Sequence, residues 1–253
     1  MTVALDWSGV LTGQPLQWLA SGVAVTGLVT VAGLLVAAIV AVVAFGLRIA
    51  SAPAIRAGAG LVVGAIRNTP VLVQLLFWYF AGYAALPQGL RDWLIADHPW
   101  AALPGGVSFL SPEFLTAAWG LGLFYGVFMA EELRAGVAAV PFGQVEAARS
   151  QGLSPARLLV HVTLPQAVGN AWQPLVGQAL NLFKFSSLAS TIGLAELTYQ
   201  VRQVESLNAR AFEVMAVGTA LYLLLGLLLG WLLQAVEPGR RWRRRAEGRA
   251  HGA

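Results

Sequence analysis

Residues 22–47 read GVAVTGLVTVAGLLVAAIVAVVAFGL, 26 residues without a charged side chain, closed by Arg48. A helix needs about 20 predominantly apolar residues to cross the hydrocarbon core of a bilayer, so this run predicts a membrane span. The rest of the composition agrees. Of 253 residues, 57% are hydrophobic and 11% are charged, whereas soluble domains carry roughly 25% charged residues. So little charge cannot wet the outside of a globule of this size, and the chain reads as a membrane protein of one domain.

Four further spans follow. The second ends at Leu86, but Arg67-Asn68-Thr69-Pro70 interrupts its start and leaves two readings. In one, Thr69 is an N-cap and Pro70 opens a helix over 71–86. In the other, 57–66 belongs to the same helix, kinked at Pro70. The third span covers 114–130 and is closed by Glu131-Glu132. The fourth, 171–195, carries Gln173, Pro174, Gln178, Asn181 and Lys184, and the fifth runs from 211 or 212 to 236. The expected fold class is an all-α membrane protein of about five transmembrane helices. Residues 1–21 form an extracytoplasmic or interfacial segment, 22–236 the transmembrane domain, and 237–253 a basic tail.

Orientation follows from the cations, which favour the cytoplasmic side. With the N-terminus outside, twelve arginines fall inside: Arg48, Arg56, Arg67, Arg134, Arg149, Arg157, Arg240, Arg241, Arg243, Arg244, Arg245 and Arg249. Only Arg91, Arg202 and Arg210 fall outside, and Lys184 sits within a span. N-out and C-in requires an odd number of spans. The segment Met1–Asp6 has no basic n-region and predicts no cleaved signal peptide. The arginines after 239 read as an anchor to anionic lipid, not as a nucleic-acid surface. Trp93, Trp100 and Trp231 are placed at or near interfaces.

Several chemistries are excluded. The chain has no Cys, and His98, His161 and His251 lie far apart, so no metal-ligand spacing exists. A nucleotide-binding P-loop needs a glycine loop ending in Lys. The only Lys, Lys184, follows Gln178-Ala179-Leu180-Asn181-Leu182-Phe183. If ATP drives this protein, another subunit hydrolyses it.

The inner stretch 133–170 reads as structured. Pro141 opens a short helix that Gly152 closes, and Ser154-Pro155 starts a second that stops at Pro165. Small residues, Ala147 and Ala148, would let another protein approach closely, and Glu146 offers an acceptor. From the residues alone, a partner-docking helix and an interfacial hairpin without a partner stand level.

Glu146-Ala147-Ala148, three residues, Gly152, nine residues, then Val162-Thr163-Leu164-Pro165 resembles the EAA loop of ABC importer permeases, with Val162 in place of Ile. The stretches Arg67-Asn68-Thr69-Pro70-Val71-Leu72-Val73-Gln74, Val140-Pro141-Phe142-Gly143-Gln144, Leu164-Pro165-Gln166-Ala167, Lys184-Phe185-Ser186-Ser187-Leu188 and Ile192-Gly193-Leu194 resemble the polar amino-acid branch of that family. The resemblance covers nearly the whole chain. It implies a type I importer permease in a bacterial inner membrane, paired with a second permease subunit, identical or homologous. It also implies two cytoplasmic ATPases that carry ATP and Mg, and an extracytoplasmic solute-binding protein. Glu146, Ala147, Ala148, Gly152, Leu164 and Pro165 would then couple to the ATPase, with no catalytic residue and no cofactor in this chain. The chain departs from the family pattern at Phe185, at Gly169-Asn170 and at Phe124-Tyr125-Gly126-Val127-Phe128.

Lys184 is the sharpest polar anomaly, because a charge at the bilayer centre costs about 2.5–3.5 kcal/mol on insertion scales. Asn181 and Ser187 lie three residues to either side, near one helical face. This face is a candidate wall of the translocation path, with Lys184 meeting a substrate carboxylate or Glu131 or Glu132. The other reading is a structural lysine held by an ion pair. Arg67 is read either as a snorkelling arginine or as a gating residue. Glu131 and Glu132 are read as partners of Arg134 or Arg56, with Glu131 a candidate path residue. Gln74 reads as an interhelical hydrogen bond, and Trp78, Tyr79 and Phe80 as packing. The resemblance is strongest to permeases for acidic and related polar amino acids, which implies glutamate or aspartate first and glutamine next. The competing class is a gradient-driven transporter or channel, but such proteins often show inverted repeats and more spans. A membrane-embedded enzyme would need a catalytic constellation, to which only Glu131-Glu132 comes near.

Overall fold

The computed structural model describes residues 5–238; residues 1–4 and 239–253, including the basic tail, lie outside the described residues. Among the described residues the chain is helical, and its only β pairing is an isolated bridge between Ala102 and Ser108. After a short turn of helix α1 (Ser8–Leu11), α2 runs over Gly13–Arg48. Its start lies nine residues before the uncharged run, because Gln14 and Gln17 are compatible with a helix whatever their polarity. The second region is α3 (Pro53–Arg67) and α4 (Val71–Phe77), the latter continued by a wide π turn over Trp78–Gly82. The segment between α4 and the next long helix holds the short α5 (Gln88–Ile95). Then come α6 (Pro112–Ala138), α7 (Phe142–Ser150), α8 (Pro155–Leu158), α9 (Leu164–Phe185), α10 (Leu197–Asn208) and α11 (Ala211–Ala235).

Helices α2, α6 and α11 are each long and apolar enough to cross a membrane, and the bent pair Pro53–Arg67 with Val71–Gly82 makes a fourth crossing if taken as one span. The polar region 171–195 does not join them: it is α9 as far as Phe185 and then a 3-10 segment over Ser186–Ile192.

Close backbone approach joins the central helices. A Cβ at Gly122 would lie 2.6 Å from Val36 Cβ and 2.8 Å from the Gly33 carbonyl, and one at Gly126 would lie 2.7 Å from Val40 Cβ. Only glycine lets α2 and α6 pack at this separation, the small-residue logic of membrane helix pairs. Gly136 performs the same service where α6 meets Ala167 and Ala171 of α9. The core follows α2 in layers: Val25 and Val29 with Phe114 and Ile192; Ala37 and Ala41 with Leu121, Met129 and Leu182; Ala44 and Phe45 with Val63 and Val127. Helix α11 keeps most of its apolar surface outward, with Leu223, Leu224, Leu227 and Trp231 exposed.

Three boundaries differ from the sequence reading. At the second region the separate helix starting at Val71 agrees with the first reading, but it widens to a π turn after Phe77, and α3 and α4 are bent by 101°. Thr69 caps nothing ahead of it, and its hydroxyl donates backward to the Ala65 carbonyl at 2.9 Å. Pro70 precedes the helix in an extended conformation (ψ 136°). Secondly, Pro165 does not stop a helix. A π turn over Leu159–Thr163 joins α8 to α9, and Leu164 N–H bonds back to the Leu159 carbonyl. That widened turn absorbs the missing N–H and the ring of Pro165, which a regular ladder would not. Thirdly, Glu131-Glu132 does not close α6, which continues to Ala138; arginines from other helices satisfy Glu131 inside it.

Candidate functional site

A cluster of charges sits where the end of α2, the end of α3 and the C-terminal half of α6 meet. Glu131 stands with its side chain 12% exposed, 3.0 Å from Arg48 Nε, 2.9 Å from Arg134 Nη2 and 3.8 Å from Arg67 Nη1. Arg48 ends α2, Arg67 ends α3 and Arg134 follows Glu131 by one turn of α6, so one carboxylate ties three helices together. Arg48 reaches it across Gly60, where a Cβ would stand 2.8 Å from its Nη1. Arg67 also lies over the Phe128 ring, 5.0 Å from the centroid, a favourable cation–π arrangement. Arg56 does not join this cluster; it donates to the Ala50 carbonyl at 3.5 Å.

The bend that carries Arg67 is built from side chains that close the end of α3. Asn68 Nδ2 donates to the Gly64 carbonyl at 2.8 Å, Thr69 to that of Ala65, and Gln74 Nε2 to that of Ile66 at 2.7 Å. A helix end leaves its last carbonyls unpaired, and here each of three consecutive ones has a side-chain donor. Gln74 therefore bonds across the bend. Trp78 packs edge-on to Trp119 at 5.7 Å, and Tyr79 donates to Glu113 at 3.1 Å.

The coupling candidates follow the C-terminal end of α6. In α7, Phe142, Glu146 and Ala147 are exposed and Ala148 is buried, so the helix shows a solvent face with nothing of this chain against it. Gly152 adopts φ +76°, a left-handed conformation that favours glycine at a helix C-terminus. Leu164 and Pro165, at the start of α9, line a cleft of about 1050 Å³ with Pro141, Gln144 and Asn170. Glu146 and Ala147 are not in that lining, so the six residues split between a docking face and a cleft wall.

The path candidates are divided as well. Lys184 is exposed and forms no ion pair among the described residues. Glu131 is committed to its arginines, and Glu132 accepts from Gln178 Nε2 at 3.2 Å, so neither meets Lys184. Lys184 and Ser187 line a groove of about 480 Å³ between α9 and α11, walled by Leu180, Phe183, Tyr222 and Leu227. Asn181 is half-buried and lies outside that lining. Phe185 turns toward Tyr125 of α6, ring centroids 6.1 Å apart.

Sequence reasoning missed Glu196. It is fully buried, accepts from the N–H groups of Thr198 and Tyr199 at 3.0 Å each, and accepts from Tyr222 at 2.6 Å. Thr26 of α2 in turn accepts from Leu197 N–H at 3.0 Å. This one carboxylate caps α10 and binds it to α11, but Tyr222 is 26 positions away and no spacing rule links the two. Among the described residues no group of three or more His, Cys, Asp or Glu could hold a metal ion.

The family model described as "Binding-protein-dependent transport system inner membrane component" matches residues 43–242. The chain belongs to this permease family. The permease is 29% identical over 244 residues to the glutamate/aspartate import permease protein GltJ of Escherichia coli (strain K12), covering 94% of this chain and 95% of that one. It is 30% identical over 237 residues to the glutamine transport system permease protein GlnP of the same strain, covering 92% and 96%. A crystal structure of an amino acid ABC transporter with histidines superposes with a TM-score of 0.74 at 28% identity, over 93% of this chain and 99% of that one. The permease is thus an amino-acid ABC importer subunit of the type I fold. Its part is transport, with ATP hydrolysis on a separate subunit.

Proposed function

We propose that the permease lines the path of a polar amino acid, glutamate or aspartate first, that an extracytoplasmic solute-binding protein delivers. A second permease subunit, identical or homologous, completes the path. Cytoplasmic subunits carrying ATP and Mg engage α7. The likeness to GltJ along almost the whole length of both chains supports the acidic amino acids, and the matching likeness to GlnP makes glutamine the next candidate. The uncommitted cation Lys184 supports the acidic preference, because an ammonium group in a low-dielectric wall attracts a carboxylate.

In this reading the chain is a multi-pass protein of the bacterial inner membrane, N-terminus outside. Residues 22–236 form the transmembrane domain, and the arginines that follow Pro238 anchor to lipid. ATP-driven closure of the partner subunits pulls on α7 through Glu146, Ala147 and Ala148. Gly152 sets the turn to α8, and Leu164 and Pro165 pass the displacement to α9. Helix α6 runs unbroken from Pro112 to Ala138, so the same pull reaches Glu131 and, through Arg67, the bend before α4. Lys184 and Ser187, which line the groove between α9 and α11, then face the moving substrate.

The test is uptake of radiolabelled glutamate, aspartate and glutamine by proteoliposomes holding the complete complex, with and without ATP. ATP-dependent uptake competed best by glutamate or aspartate supports the proposal. Uptake best competed by glutamine removes the acidic preference. Uptake that persists without the ATPase and follows an ion gradient makes the chain a secondary transporter.

A further inference from the structure

The pattern of α10 divides it cleanly. Leu197, Gln200, Val201 and Val204 are buried, against Gly22 of α2 and Gly218 of α11, where added Cβ atoms would meet Leu197 Cα at 2.9 Å and Val201 Cγ2 at 2.6 Å. Tyr199, Arg202, Gln203 and Ser206 take the other face at i, i+3, i+4 and i+7 and are exposed, the spacing of a single helical stripe. With Glu196 capping its first turn, α10 is a fixed platform and not a loose loop. The outward stripe lines an open pocket of about 540 Å³, with Trp18 of α2 and Ser190 of the 3-10 segment on its other walls.

Two of the three outer arginines can be compared directly. Arg210 is spent on Asp6, with which it forms an ion pair. Arg202 has no ion pair among the described residues, and Glu205, one turn further along α10, is neither in the pocket lining nor within ion-pair distance of it. The pocket therefore presents an uncompensated guanidinium among Trp, Tyr and hydroxyl groups. Arg, Trp and Tyr are the side chains that dominate binding energy at protein interfaces, and a guanidinium selects a carboxylate by its two-pronged geometry.

We propose that this pocket is where the delivering extracytoplasmic protein seats an acidic side chain, with Arg202 as the anchor. The proposal rests on the importer reading and on the orientation above, and names the contact through which that partner is held. A rim arginine of this kind acts on encounter and retention of the partner, not on the turnover of the docked complex.

The experiment titrates the solute-binding protein that supports wild-type uptake against the complete complex in proteoliposomes. Arg202→Glu should raise the half-saturating concentration of that protein about tenfold or more, the effect of one well-placed interface residue. Maximal uptake should be retained within about twofold, and Arg202→Lys, which keeps the charge but loses the two-pronged geometry, should fall between wild type and Arg202→Glu. High salt should narrow the gap between wild type and Arg202→Gln, since it screens exposed charges. A photocrosslinking side chain at Ser206 should capture the binding protein. An unmoved concentration dependence in Arg202→Glu, or capture of a second permease copy at Ser206, overturns the proposal. Failure of the wild-type complex to take up amino acid with ATP overturns the importer reading before Arg202 is altered.

Discussion

Glu131 of α6 accepts a hydrogen bond from Arg48 of α2 at 3.0 Å, across 83 positions of sequence. The pair forms where α2 ends and α3 begins to turn back, and Arg134 and Arg67 complete the charge environment of the carboxylate. Removing the one anion leaves three guanidiniums facing one another, and breaking a buried pair costs more than the pair contributes. Arg67 and Arg134 are 42% and 49% exposed, so water relieves part of that cost. Glu131→Gln should therefore destabilise the purified permease by about 1–2 kcal/mol. Arg48→Gln should cost less in the Glu131→Gln background than in wild type, the non-additivity expected of direct partners. Thermal unfolding of the four proteins in one detergent measures both. Additive effects would show that the two side chains act independently.

Gln74 makes a second prediction. Its amide donates to Ile66 and, at 3.2 Å, to Thr69, so it holds α4 to the end of α3. Gln74→Leu keeps the volume and removes both bonds, although the Ile66 carbonyl still accepts from Thr69 N–H at 3.3 Å. The loss should be about 1–2 kcal/mol, the upper range for a membrane hydrogen bond, and local to the bend. Because the chain has no cysteine, a single cysteine placed at Val63, buried one turn before Ile66, reports on that region without background. Its labelling by a water-soluble maleimide should quicken in Gln74→Leu and stay unchanged in Arg202→Gln.

These two cases show what was legible in the residues. The long apolar runs of α2, α6 and α11 announce themselves, because hydrophobicity along one helix is a local property. The break at Pro70 is legible too, but its geometry is not. Thr69-Pro70 has the form of a helix start, yet the side chains of Asn68, Thr69 and Gln74 all bond backward to carbonyls of α3. Nothing in the string distinguishes a cap from a backward bond; only the position of α4 decides it. Pro165 misleads for a related reason, since the preceding π turn removes the clash that would end a helix. Arg134, at i+3 from Glu131, is legible as its partner; Arg48 and Arg67, like Tyr222 for Glu196, come from distant helices, and tertiary packing alone brings them in. The motif around Glu146 was legible as a pattern, but its division into exposed Glu146 and Ala147 and buried Ala148 was not.

Packing of α2 on α6 gives a third prediction. A Cβ at Gly126 would stand 2.7 Å from Val40 Cβ and 2.8 Å from the Ala37 carbonyl, whereas one at Gly27, also inside a helix, would meet nothing within 4 Å. Gly126→Ala should cost about 1–3 kcal/mol through overpacking. Gly27→Ala should be neutral or stabilising by up to about 1 kcal/mol, as helix propensity favours alanine. Equal melting temperatures for the two variants would mean that the helices separate at little cost and that the glycine contacts do not set their spacing.

The coupling face can be tested apart from the fold. Glu146 lies exposed on α7, so Glu146→Arg should change stability by no more than about 0.5 kcal/mol. It would still place a cation where the docking reading needs an acceptor. Gly152 has open space around its Cβ position but φ +76°, so Gly152→Val strains only the backbone, by roughly 1–2 kcal/mol. Asparagine tolerates that conformation better than β-branched residues, and Gly152→Asn should recover much of the wild-type behaviour. In the complete complex, Glu146→Arg and Gly152→Val should insert normally yet lose uptake. ATP hydrolysis should either fall with weakened docking of the ATPase or continue without responding to the binding protein. Co-purification of the ATPase separates these outcomes. Normal import by both variants would mean that α7 is an interfacial helix and that the ATPase engages the permease elsewhere.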